Sequence, residues 1–110
     1  MNPLRAVMLS TVLLLASAPA AAVCTVGSPD VCRDTIGKIS IATNNVVSVF
    51  VTAGDHETIG CTDTDGLDLN PSSVHYDQAF QAILISAAAA ITVEISVDSL
   101  CNITTVTVDP

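Results

Sequence analysis

Four cysteines, two histidines and one acidic run are the residues of this 110-residue chain whose types can do chemistry. Cys24, Cys32, Cys61 and Cys101 can bridge in pairs or hold a metal. A structural zinc site takes cysteines and histidines at close ligand spacing, typically as CxxC pairs. No CxxC occurs, and the histidines do not accompany the cysteines at such spacing, so disulfides are expected and a metal is not. Four cysteines allow three connectivities. Cys24–Cys32 with Cys61–Cys101 is the most economical, because the first bridge then closes a short loop through Gly27, Ser28 and Pro29. In the chain-entropy picture the longer bridge stabilises by roughly 4 kcal/mol and the shorter by about 2.5 kcal/mol.

His56 lies between Asp55 and Glu57, but adjacent loop residues point in different directions, and a solvated loop histidine is expected. His75 falls in the first turn of a predicted helix with no evident partner. The run Asp63-Thr64-Asp65-Gly66-Leu67-Asp68 has the composition of a calcium loop without its pattern. Aligning Gly66 with the sixth position puts Cys61 at the first and Ser72 at the twelfth, where carboxylates are required. A solvated turn is expected instead. No nucleophile, base and orienting acid can be assembled from these residues, which argues against an enzyme and implies no cofactor.

Positioning these groups is the task of residues 23–110, since Met1–Ala22 has the layout of a signal peptide. Arg5 supplies its positive start, Val7 to Leu15 its apolar centre, and Ala20-Ala21-Ala22 the small residues before cleavage. The apolar run falls short of the ~20 residues that a membrane span needs, so no membrane insertion is expected after cleavage. The remaining 88 residues suit one domain with a modest core. All four cysteines fall in this exported part, which fits an oxidising, secreted or periplasmic setting. With Arg5 removed, two basic residues face eleven acidic ones, a net charge of −9. Such a surface repels phosphate backbones and excludes nucleic acid as a partner.

Period-two patterns predict strands at Ile36–Ala42, at Val46–Ala53 and at Ile91–Val97, with a shorter one at Thr58–Thr62 and a last one at Ile103–Val108. Thr43-Asn44-Asn45 reads as the turn of a hairpin. A helix is expected after Asn70-Pro71, capped by Ser72 or Ser73, with Tyr76, Phe80, Ile83, Leu84 and Ala87 on its buried stripe. Its outer face would carry Val74, Gln78, Gln81, Ile85 and Ala89, less polar than a monomer needs, and Val74, Gln78, Gln81 and Ile85 are the expected oligomer contacts. Asn102-Ile103-Thr104 matches the short glycosylation pattern, which matters only in a eukaryotic secretory pathway. The order β-β-β-α-β-β is that of the OB-fold, a five-stranded barrel.

Gly37-Lys38-Ile39-Ser40-Ile41, Cys61, the Tyr76 to Ala88 helix rich in small residues, Ile91-Thr92-Val93-Glu94-Ile95 and Cys101-Asn102-Ile103-Thr104-Thr105-Val106 carry a further likeness. Through them the chain resembles small secreted bacterial proteins related to the B subunit of subtilase cytotoxin. The resemblance implies a non-catalytic subunit that assembles in a five-membered ring and recognises a glycan or protein partner. Because binding residues gather on loops held by a rigid scaffold, Asn44, Asn45, Asp55, His56 and Glu57 are the expected ligand contacts. The alternative is a stand-alone periplasmic or extracellular structural domain with no toxin-like role.

Overall fold

Val47, Val49 and Val51 alternate with Ser48 and Phe50, and the valines are buried, so one face of this strand is core and the other is not. The computed structural model describes residues 23–109; the expected signal peptide Met1–Ala22 lies outside the described residues. The elements are β1 (Cys24–Thr25), β2 (Asp30–Asp34), β3 (Ile36–Ile41), β4 (Val47–Val51), a 3-10 turn (His56–Ile59), β5 (Leu67–Leu69), α1 (Tyr76–Ala89), β6 (Thr92–Val97) and β7 (Ile103–Asp109). Among the described residues no helix is long and apolar enough to cross a membrane.

Among the described residues the protein is mainly β with one helix, and the strands form two sheets, ordered β1-β2-β6-β7 and β3-β4-β5. Among these residues seven strands in two sheets replace the expected five, and the sheets do not close into a barrel. The two additional strands come from the Cys24–Cys32 segment. It is a hairpin with Cys24 directly opposite Cys32, and β2 goes on to pair with β6, placing Cys32 opposite Ile95.

Two junctions hold the sheets together. Thr35 alone separates β2 from β3, so one extended segment serves both sheets, and a bulge between Ile36 and Lys38 turns it. Gly37 occupies that bulge because a Cβ there would lie 3.1 Å from the Thr52 Cα. At the second junction the Asp68 N–H donates to the Cys101 carbonyl at 2.9 Å, and Asp68 forms a parallel bridge with Asn102. The Cys61–Cys101 disulfide closes the same corner, and Cys24–Cys32 is the other bridge, the pairing expected as most economical. The Asp98 carboxylate shapes the turn before Asn102 by accepting the Leu100 and Asn102 amides, each at 2.9 Å. The Asn102 amide is the main cause holding Asp98 below its ordinary carboxylate range.

The short strand expected at Thr58–Thr62 does not form: Thr58 and Ile59 end the 3-10 turn, and the chain leaves it at Gly60. Asp55 and Gly60 flank it with φ of 72° and 79°, both left-handed, which curls the chain rather than extending it. The third strand lies inside the acidic run, where Leu67 and Leu69 are buried on either side of Asp68. Gly66, at φ 66°, is required there, since a Cβ would approach the Val49 carbonyl oxygen to 2.6 Å.

The helix starts at Tyr76, later than Ser72 or Ser73 would place it, and the position before it, His75, makes no side-chain capping bond. It ends at Ala90 in the left-handed region, with the Ile91 N–H returning to the Ser86 carbonyl at 3.0 Å. Its buried face keeps Tyr76, Phe80, Ile83 and Ala87 of the expected stripe, with Ile83 and Ser86 fully buried and Ala79 packed beside them, while Leu84 is 44% exposed. An alanine-rich C-terminal half supplies little apolar contrast, so the edge of the stripe shifts from Leu84 toward Ser86.

Removing the Cys61–Cys101 bridge with paired serines should lower stability by about 4 kcal/mol in urea unfolding, and removing Cys24–Cys32 by about 2.5 kcal/mol. Equal losses would show that sequence separation does not govern the two bridges.

Candidate functional site

The expected contact residues stand at opposite ends of β4. Asn44 and Asn45 precede Val47, while Asp55, His56 and Glu57 follow Val51, so about 17 Å of extended strand separates the groups. They do not form one site.

At the far end of β4, His56 is only 2% exposed, where a solvated loop residue is expected. Its Nε2 accepts the Val51 N–H at 3.1 Å, and its Nδ1 lies 3.2 Å from Oδ1 of Asp63. An acceptor role for Nε2 places the proton on Nδ1, which donates to the Asp63 carboxylate. Phe50 meets the ring edge-on at a centroid distance of 5.9 Å. Both nitrogens are therefore engaged, and His56 is a packing residue rather than a ligand contact. Glu57 remains exposed, and Asp55 is half-buried. The Thr58 hydroxyl donates to Asp55 at 2.5 Å and is the first cause holding that carboxyl below its ordinary value of 3.8. Burial opposes this, and the Cys24 and Val23 amides and His56 add to it.

At the near end the loop is uncharged and tightly held. Ala42 donates to the Val46 carbonyl at 3.0 Å, the Asn45 N–H to the Ala42 carbonyl at 2.9 Å, and the Val46 N–H to Oδ1 of Asn44 at 3.2 Å. Asn45 adopts φ 67°, a conformation asparagine tolerates better than most residues. From the helix, the Tyr76 hydroxyl donates to the Asn45 carbonyl at 2.6 Å. Thr43, Asn44 and Asn45 are all exposed above this frame. Tyr76 is the residue that sequence reasoning places only in the core, since nothing local marks a contact across 31 positions.

The expected oligomer residues lie on the outward helix and the turn before it, with Val74 89% and Ile85 62% exposed, and Gln78 and Gln81 exposed between them. Beside Gln78 a groove of about 280 Å³ runs between α1 and β7, lined by His75, Ala79, Ala82, Ile103 and Thr105 among others. Among the described residues no group of three His, Cys, Asp or Glu side chains could hold a metal ion. No family model, no curated protein and no solved structure matches the chain.

His56→Ala should cost about 2–4 kcal/mol in urea unfolding, because it leaves a cavity and an unpaired Val51 amide, while His56→Gln, which keeps an acceptor, should cost less. Equal losses for the two would discount the Val51 bond. For Asp55 the sign follows from a carboxyl held low in the fold. Its contribution to stability is present above pH 3.8 and disappears as the pH falls through the folded value. Thr58→Val should move the Asp55 titration, followed by carboxyl NMR, back up toward 3.8, and an unmoved titration would rule out Thr58 as the main cause.

Proposed function

We propose that the protein is a secreted or periplasmic, non-catalytic binding subunit that works as an oligomer and recognises a glycan or protein ligand. The observation that carries this is the loop Ala42–Val46, whose backbone is fixed by its own hydrogen bonds and by Tyr76 while Asn44 and Asn45 stand exposed on it. Binding on a loop that is already ordered avoids much of the entropy cost of fixing it on contact. Thr43, Asn44 and Asn45 offer uncharged donors and acceptors suited to sugar hydroxyls or to a peptide backbone.

The frame fits an OB-fold-like reading. From β3 onward the order is strand, strand, strand, helix, strand, strand. The continuous β2–Thr35–β3 segment acts as one bent first strand shared by both sheets, and the parallel Asp68–Asn102 contact joins the third strand to the last. Two disulfides among the described residues fit an oxidising compartment. His56 is spent on packing, which favours binding over catalysis.

A glycan array probed with the purified disulfide-bonded protein should retain uncharged glycans. Asn44→Ala with Asn45→Gly, which tolerates φ 67°, should weaken retention by about tenfold, and Tyr76→Phe by a smaller factor. Retention unchanged by these substitutions would move the contact elsewhere, and no retention of any glycan would exclude the glycan reading, leaving a protein ligand or a stand-alone structural domain.

A further inference from the structure

An edge strand exposes unpaired N–H and C=O groups that template another strand, and monomers blunt such edges by shortness, charge, lysine, bulges or proline. Among the described residues four strands end a sheet, namely β1, β7, β3 and β5. Three of them are blunted. β1 has two residues, β5 has three with Asp68 at its centre, and β3 carries Lys38 beside its bulge.

The fourth is the least protected. β7 is seven residues long, its one bulge leaves Thr104 without a partner near the start, and Thr105 to Val108 runs on with no charge, glycine or proline. Its one charged residue, Asp109, is already paired with Arg33. β5, paired with β4 on one side, meets this end of the chain at Cys101 and Asn102, just before β7 begins. Alongside this edge runs the groove bounded by Gln78 and Ala82 on α1 and by Thr105 and Val106 on β7. At 3.6 residues per turn Gln78, Ala82, Ile85 and Ala89 follow one another along the same helix flank, again without a charge.

We propose that this edge pairs with the β7 edge of a second copy of the chain, antiparallel about a two-fold axis, joining the two four-stranded sheets. The choice of a second copy follows from charge. Two molecules of net charge −8 or more repel wherever their acidic surfaces meet, and the β7 edge with its helix flank is a strip where copies meet without opposing like charges. Centred on Val106, a two-fold pairing sets Thr105 opposite Thr107 and Val106 opposite its own copy, so the middle of the strand is self-complementary. A five-membered ring needs two different surfaces that fit each other, and the other three edges are blunted.

The pairing rests on the oligomeric part of the proposed function and makes it specific. Thr105 and Thr107 are exposed, so lysine or glutamate can replace them without disturbing the core. Native mass measurement of the purified disulfide-bonded protein should give twice the chain mass. T105K/T107K and T105E/T107E should each be monomeric, dimerising at least about tenfold more weakly, with unchanged circular dichroism, and an equimolar mixture of the two should restore a dimer of mixed mass. Variants that remain dimeric, or a mixture that stays monomeric, would overturn the β7 pairing. A wild-type ring of five would overturn it while upholding an oligomer. A wild-type monomer at high concentration would overturn both, leaving glycan retention on the array to be judged separately.

Discussion

The corner where Asp68 meets Cys101 and Asn102 is the contact on which the rest of the structure depends. β5 is only three residues long, too short to hold two sheets together by hydrogen bonds alone. The Cys61–Cys101 bridge, the Asp68 to Cys101 bond and the Asn70 to Asn102 side-chain bond at 3.2 Å fix this corner from three directions. A domain of this size buries a limited core, and a covalent link between its sheets supplies what packing cannot. Leu67, Leu69, Ile83 and Ile103, all buried, converge behind that corner.

From that corner the order extends to both ends of β4. Val47 and Val49 pair with Leu69 and Leu67, so the strand carrying the Asn44–Asn45 loop is anchored on the clamped β5. The helix adds a second hold through Tyr76, whose ring also packs 6.0 Å from Phe80. At the opposite end, His56 ties Val51 to Asp63, two residues past Cys61, so the disulfide and the histidine close the same acidic segment. The Asn44–Asn45 loop is thus the exposed end of a rigid path, held in place by its own hydrogen bonds and by Tyr76.

Much of this was legible in the residues, and the exceptions have physical causes. Strong alternation predicts strands at Val46–Ala53 and Ile91–Val97, which form as Val47–Val51 and Thr92–Val97, and the cysteine separations point to the observed bridges. β2 escapes notice because Asp30, Arg33 and Asp34 make it look like a loop, and its partner β6 lies some sixty residues away. β5 is masked by the aspartates around Leu67 and Leu69. The burial of His56 depends on a backbone amide and on Asp63, and neither contact has a local signature. Charged neighbours predict solvent, and tertiary pairing overrides them. The tight Asn44–Asn45 turn, by contrast, follows from local chemistry and sits where expected.

The most direct test of the clamped corner is amide hydrogen exchange on the oxidised protein against the protein lacking only the Cys61–Cys101 bridge. If that corner organises the fold, protection should fall together at Asp68, at Val47 and Val49 in β4, and at the Asn45 amide, some distance from the missing bridge. Loss confined to residues 61–70, with β4 and the Asn45 loop still fully protected, would contradict the account.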